Sequence, residues 1–176
     1  HGSPAGLSAE PDWTYESNVS HVWYGCSVAG AGDVNGDGAS DIIVGAKYYS
    51  NGEFHEGRAF VYYGSEGGVS TVADWIGECD KQSAEFGHSV SSAGDVNGDV
   101  FSDVIIGAQG FENGESMEGA AFVYYGSASG LSGAPDWKTE SNKREASMGY
   151  TVANCGDMNG DGYSDVAVGA LGYSKG

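Results

Sequence analysis

The dipeptide Asp-Trp occurs three times, at Asp12-Trp13, Asp74-Trp75 and Asp136-Trp137, and both intervals are 62 residues. The same offset joins Gly25, Gly87 and Gly149, and it joins Asp33, Asp95 and Asp157. Over the 52 positions that all three copies share, 19 are identical, with no insertion. A fixed period of this length marks a repeat architecture, in which each unit buries its apolar face against its neighbours. The 176 residues make two full units and a third that stops ten residues short.

Each unit reads as four short strands. Residues 24–31, 86–93 and 148–155 form the first, built from small residues that suit a crowded place. A polar loop follows, then the apolar runs Ile42-Ile43-Val44, Val104-Ile105-Ile106 and Val166-Ala167-Val168, each closed by Gly-Ala. Runs so short, bounded by turns, fit a buried strand rather than a helix. Asn51-Gly52 and Asn113-Gly114 supply hairpin turns. The third strands are the aromatic segments 58–63 and 120–125, and the fourth lie around Trp13, Trp75 and Trp137. No segment has the pattern of an amphipathic helix. The expectation is an all-β chain of propeller blades, each of four antiparallel strands. Residues 1–176 form one such region: 1–23 as the fourth strand of a preceding blade, 24–85 and 86–147 as two blades, 148–176 as the first half of another.

The loop between the first and second strands carries the chemistry. Its copies run Asp33-Val-Asn35-Gly36-Asp37-Gly38-Ala39-Ser40-Asp41, Asp95-Val-Asn97-Gly98-Asp99-Val100-Phe101-Ser102-Asp103 and Asp157-Met-Asn159-Gly160-Asp161-Gly162-Tyr163-Ser164-Asp165. Side-chain oxygens fall at positions one, three, five and nine, with the carbonyl of position seven free to join them. Calcium takes six to eight oxygen ligands, and alternate residues of a tightly wound loop can converge on one ion. Magnesium prefers fewer protein ligands in a stricter octahedron. The plain alternative is an Asx-rich turn, since Asn, Asp and Gly are the common turn formers. An EF-hand is excluded, because position twelve is Val44, Ile106 or Val168 rather than Glu, and no helix is expected to follow. In the second copy Val100 replaces the Gly38 and Gly162 of the others. If that position needs a positive φ, the loop Asp95–Asp103 is the weakest of the three sites.

Composition narrows the function. Seven Lys+Arg against 25 Asp+Glu give a formal net charge of −18, which disfavours nucleic acid and anionic membrane surfaces as partners. A content of 40% hydrophobic and 12% aromatic residues is too rich for a disordered acidic tail. No apolar run approaches the length of a membrane span, and no signal peptide stands at the N-terminus. The four His have no repeated partner at metal-ligand spacing and read as surface or strand-end residues. Cys26, Cys79 and Cys155 fall at unrelated repeat positions; buried free thiols are expected, with one disulfide among them open. The pair Glu115 and Glu118 reads as a solvated hairpin, and the repeated Trp residues read as packing between blades. A stacking surface for sugars is the alternative use of those Trp residues.

Tyr24-Gly25, Phe86-Gly87 and Met148-Gly149, the acidic loop, and Gly45-Ala46, Gly107-Ala108 and Gly169-Ala170 together resemble FG-GAP repeats. These build the propeller of integrin α-subunits and occur in many secreted bacterial proteins. The resemblance covers essentially the whole chain. Two departures stand out: Lys47, Gln109 and Leu171 replace the family's Pro, and Met148 replaces an aromatic. The resemblance implies a propeller, usually of seven blades, with calcium in loops on one face. It assigns as ligands Asp33, Asn35, Asp37, the carbonyl of Ala39 and Asp41. The equivalent sets are Asp95, Asn97, Asp99, Phe101 and Asp103, and Asp157, Asn159, Asp161, Tyr163 and Asp165. About three calcium ions per chain follow. It also implies an extracellular, cell-surface or periplasmic setting and a non-catalytic role in recognising a protein or cell-surface ligand. The alternative is a carbohydrate-binding or accessory region of a secreted enzyme. Three incomplete units do not close a propeller, so two readings stand: a piece of a longer propeller, or copies that complete one another by self-association.

Overall fold

The computed structural model describes residues 2–4 and 6–174. Its regular structure is all β; among the described residues there is no helix. A short pair, β1 (Gly2–Ser3) and β2 (Gly6–Leu7), precedes three antiparallel sheets. The first sheet runs β3 (Tyr24–Gly32), β4 (Asp41–Ala46), β5 (Arg58–Tyr62), β6 (Trp75–Gly77). The second runs β7 (Phe86–Gly94), β8 (Asp103–Ala108), β9 (Ala120–Tyr124), β10 (Trp137–Glu140). The third is the pair β11 (Met148–Gly156) and β12 (Asp165–Ala170). Within each sheet consecutive strands are neighbours, so each unit is a simple meander, and among the described residues the sheets do not close into a ring.

The sheets stack with β3, β7 and β11 side by side, and strand alternation decides what each face buries. Ile43 and Val61, directly paired across β4 and β5, join Phe86, Val104, Ile106, Phe122 and Tyr124 in the core between the first two sheets. Their neighbours Val44, Phe60 and Tyr62 point the other way and pack with Trp13 and Tyr24. Every residue of β8 is buried, because this strand has a sheet on each face. Its unbroken apolar run reflects that double covering. Burying each such side chain is worth about 1.5–3 kcal/mol.

Two motif glycines set the spacing of the stack. A Cβ placed on Gly45 would lie 1.9 Å from the Gly87 carbonyl oxygen, and one on Gly107 would lie 2.0 Å from that of Gly149. The glycine after the second-strand run and the glycine that opens the next unit therefore meet backbone to backbone. The contact is fastened nearby by a repeated bond: the Val90 and Val152 N–H groups donate to the hydroxyls of Ser27 and Ser89 at 3.0 and 3.1 Å.

The fourth strand forms around Trp75 and Trp137, which pair with Val61 and Val123, but none forms around Trp13. A strand exists only beside a partner that completes its ladder, and no described strand lies there to do so. The Trp13 side chain nonetheless keeps the repeated position. Its ring lies 5.3 Å from Tyr62 and its indole N–H donates to the Ser70 carbonyl at 3.1 Å. Trp75 does the same 62 residues on, 4.9 Å from Tyr124 and bonded to the Ser132 carbonyl at 2.9 Å. Both rings are thus spent on packing between units rather than offered to sugars.

Candidate functional site

The acidic loops are the turns of the β3–β4, β7–β8 and β11–β12 hairpins, and their ninth residues, Asp41, Asp103 and Asp165, open the second strands. All three loops wind in the same way. Asp33 accepts the N–H groups of Gly36 and Asp37 on Oδ1, at 2.7 and 3.1 Å, and that of Gly38 on Oδ2 at 2.9 Å. Asn35 Oδ1 accepts the Asp37 N–H, and Asp37 Oδ1 accepts the Ala39 N–H, at 3.0 and 2.9 Å. Asp95, Asn97 and Asp99 repeat these bonds toward Gly98, Asp99, Val100 and Phe101. Asp157, Asn159 and Asp161 repeat them toward Gly160, Asp161, Gly162 and Tyr163. Side chains one, three and five are thereby turned inward on one small spiral.

The ninth residue closes it. Asp41 Oδ2 accepts the Val34 N–H and its Oδ1 accepts the Gly64 N–H beyond β5, both at 2.8 Å. Asp103 does the same with Val96 and Gly126. Asp165 bonds Met158 at 2.8 Å. Asp41 and Asp103 are buried under the third strand, whereas Asp165 is half-exposed. Burial, reinforced by the charges of Asp99 and Asp95, pushes the Asp103 carboxyl up to about 6, and burial raises Asp41 too. In the open third loop the Gly162 amide, then those of Gly160 and Asp161, hold Asp157 below the usual carboxylate range.

The loops also interlock. A Cβ on Gly36 would lie 2.5 Å from the Phe101 ring, and one on Gly98 would lie 2.6 Å from the Tyr163 ring. The seventh residue of each loop thus covers the fourth residue of the one before. The Ser102 and Ser164 N–H groups donate to the Asp33 and Asp95 carbonyls at 2.9 and 2.8 Å. The Val100 backbone sits at φ 75°, beside 90° and 92° at Gly38 and Gly162. The conformation that makes Val costly there is therefore present.

The donor set is chemically suited to a hard cation, since every side-chain atom offered is oxygen and, apart from Oδ1 of the first-position Asp, which accepts two N–H groups, the carboxylate oxygens keep a lone pair beyond the bond they accept. The set is mixed. Among the described residues no three His, Cys, Asp or Glu side chains gather closely enough to hold a metal by themselves. Asn35 Nδ2 donates to Asp37 Oδ2 at 3.1 Å, a bond that ion binding would exchange. The seventh residues Ala39, Phe101 and Tyr163 are tied in through their N–H groups, and among the described residues no hydrogen bond engages their carbonyls.

Comparison with known families agrees with this arrangement. The FG-GAP repeat model matches residues 27–62, 86–124 and 148–176. The chain belongs to the FG-GAP repeat family. Among its relatives, integrin alpha-4 of Xenopus laevis is 34% identical over 153 residues, covering 85% of this chain and 14% of that protein. Integrin alpha pat-2 of Caenorhabditis elegans is 34% identical over 176 residues, covering 89% of this chain and 14% of the relative. Integrin alpha-7 of Homo sapiens is 34% identical over 149 residues, covering 84% and 12%. The chain thus spans about one seventh of these relatives. The FG-GAP glycines are the ones that touch across sheets, Gly45 with Gly87 and Gly107 with Gly149.

Two further carboxylates are buried, Glu56, which no motif marks, and Glu118, which the sequence places on a solvated hairpin. Glu56 and Glu118 are fully buried, one in each of the first two FG-GAP units. Each Oε1 accepts the N–H of the hairpin asparagine, Asn51 or Asn113, and each Oε2 has no hydrogen-bond partner. Glu118 is therefore not on a solvated hairpin, although Glu115 is exposed. Its recurrence 62 residues after Glu56 was the available signal. The cysteines are free, as expected, but Cys26 and Cys155 are exposed rather than buried. His21 is exposed, and His88, near the start of β7, lies 3.3 Å from Glu85; His1 lies outside the described residues. Among the described residues no helix is long and apolar enough to cross a membrane.

Proposed function

We propose that the three loops bind calcium and that the chain is a non-catalytic propeller module for recognition of a protein or cell-surface ligand outside the cell. The observation that carries this reading is the identical inward winding of Asp33, Asn35, Asp37 and Asp41 and of their two sets of counterparts. Asp41 and Asp103 accept backbone N–H bonds but are buried at a cost to their charged forms, a cost that a bound cation would offset. In each loop the first, third, fifth and ninth side chains and the seventh carbonyl would hold the ion. The ion when bound supplies positive charge opposite three carboxylates; three ions would change the formal charge from −18 to −12. The loop residues fasten the first strand to the second, and Asp41 and Asp103 carry that tie to Gly64 and Gly126 past the third strand. Binding to the folded state alone would add about 2.7 kcal/mol per site at a hundredfold excess over Kd.

The adhesive role is taken from the integrin alpha relatives. The test of the ion is thermal melting in millimolar calcium and in chelator, with Asp33→Asn, Asp95→Asn and Asp157→Asn together as control. A midpoint that rises with calcium in the parent and not in the triple variant supports the reading. An unchanged parent midpoint sinks it. The sheets do not close on themselves, so a ring needs further blades. A second copy is one source: light scattering at twice the chain mass supports self-association, and a monomer at high concentration excludes it.

A further inference from the structure

Where the Trp-bearing segment of one unit meets the following sheet, residues 13–19 and residues 75–81 stand in places equivalent by the repeat, yet the two junctions are filled differently. At the first, the Tyr15 ring lies among Trp13, Tyr24 and Tyr62, at centroid distances of 6.1, 5.3 and 5.1 Å. At the second, Trp75 and Tyr124 stand in the places of Trp13 and Tyr62, but the residue in place of Tyr15 is Gly77. The ring that plugs the first junction is absent from the second, and a cleft of about 620 Å³ opens there. That volume lies within the usual range of small-molecule sites, about 300–1,000 Å³.

The floor of the cleft is Phe111, Phe122 and Tyr124. Phe86 replaces Tyr24 at this junction, so the 2.7 Å bond between the Tyr24 and Tyr62 hydroxyls has no counterpart for Tyr124. Over the floor stand two ammonium groups: Lys138 Nζ lies 4.8 Å and Lys81 Nζ lies 5.9 Å from the centre of the Phe111 ring. The first junction has Ile76 and Val19 at their positions. Lys138 stands where the other units have Thr14 and Ile76, while Lys81 recurs as Lys143, 4.4 Å from the Tyr173 ring; the two ammonium groups stand together at this junction and not at the first. Glu78 also lines the cleft but is held by Arg58 at 2.9 Å, and Glu140 is paired with Lys138. Lys81 makes no ion pair among the described residues. With Asp80 at the wall, three cations face three carboxylates, a neutral patch on a chain of −18. An acid is repelled less here than by the chain's net charge.

We propose that this inter-blade cleft binds a small aromatic acid, its flat ring against Phe111, Phe122 and Tyr124 and its carboxylate held by Lys81 and Lys138. Charge-assisted bonds from two ammonium groups select the acid over its neutral isostere. The site is independent of any ion in the acidic loops.

The test uses the full chain with 2-naphthoate and its neutral isostere 2-naphthamide, followed by calorimetry and by the fluorescence of Trp75 beside the cleft. The parent binds one naphthoate. Lys81→Ala with Lys138→Ala weakens naphthoate at least tenfold and leaves the amide unchanged. Gly77→Tyr rebuilds the plug of the first junction and removes binding of both probes. Its Cβ would approach the far edge of the Trp75 indole at 2.1 Å, so that ring must swing toward the pose Trp13 takes beside Tyr15. If Gly77→Tyr does not fold, the lysine pair decides alone. No binding of naphthoate at millimolar concentration, or naphthoate binding that the lysine pair leaves unchanged, overturns the proposal.

Discussion

Replacing Val100 by Gly should stabilise the protein. Val100 holds φ at 75° and is 88% exposed, so its side chain contributes almost no burial to set against the backbone cost. Left-handed backbone costs an L-residue about 1–2 kcal/mol, and β-branching places Val at the upper end. Glycine removes that cost but loses about 0.5–1 kcal/mol more conformational entropy on folding. The N–H bond to Asp95 Oδ2 at 2.9 Å belongs to the backbone and survives. The balance favours Val100→Gly by about 1 kcal/mol, a rise of about 2–4 °C in melting temperature for a chain of this size. The reverse changes, Gly38→Val and Gly162→Val, impose the same strain at φ 90° and 92° and should lower the midpoint by a similar amount. Circular dichroism melts of all three variants in chelator read the effect without any ion. A lower midpoint for Val100→Gly, or no loss in Gly38→Val, would refute the reasoning.

Other consequences follow from contacts already described. Gly45→Ala drives a methyl to 1.9 Å from the Gly87 carbonyl, backbone against backbone, and should cost about 3 kcal/mol in urea unfolding. Gly133→Ala, with open space around it, should be close to neutral; equal losses would contradict the packing account. Burial raises the Glu56 carboxyl above its ordinary 4.5, so the folded state binds the proton more tightly than the unfolded state. That contribution is fully present below pH 4.5 and is lost as pH rises through the folded value. Glu56→Gln keeps an acceptor for Asn51 and never ionises, so it should melt above the parent at pH 7, with the gap closing toward pH 4. A gap that does not change with pH counts against the argument. Iodoacetamide labelling read by mass spectrometry should reach exposed Cys155 first and Cys26 more slowly, since its sulfur, although the residue is exposed, faces the Gly87 carbonyl at 3.5 Å and local desolvation raises that thiol. Cys79, pushed up to about 12 by burial, should react only on unfolding, and labelling as fast as Cys155 would contradict this.

Much of the fold was legible because each local signal appears three times. Strands β3, β4, β5 and their copies fall where small, apolar and aromatic runs alternate with turn residues, and the acidic loops join them as expected. Less legible was anything that depends on what lies alongside. Trp13 follows Asp12 as Trp75 follows Asp74, yet only Trp75 lies in a strand, paired with β5. Glu118 looks like a hairpin charge beside Glu115, and only its match with Glu56 hints that tertiary packing encloses it. The cleft at Gly77 is invisible in one unit; it emerges when the two junctions are compared and Tyr15 is found to fill what Gly77 leaves open. A site confined to one junction shows only as a difference between units, whereas the loop oxygens are legible because every copy keeps them.

The central claim is that the three loops are ion sites rather than ornate turns. Isothermal titration of the chelator-stripped chain with calcium, with magnesium as the comparison, tests it most directly. The account predicts three calcium ions per chain, with the loop Asp95–Asp103 weakest, and much weaker binding of magnesium. Heats no larger than dilution, in a chain that circular dichroism shows to be folded, would contradict it.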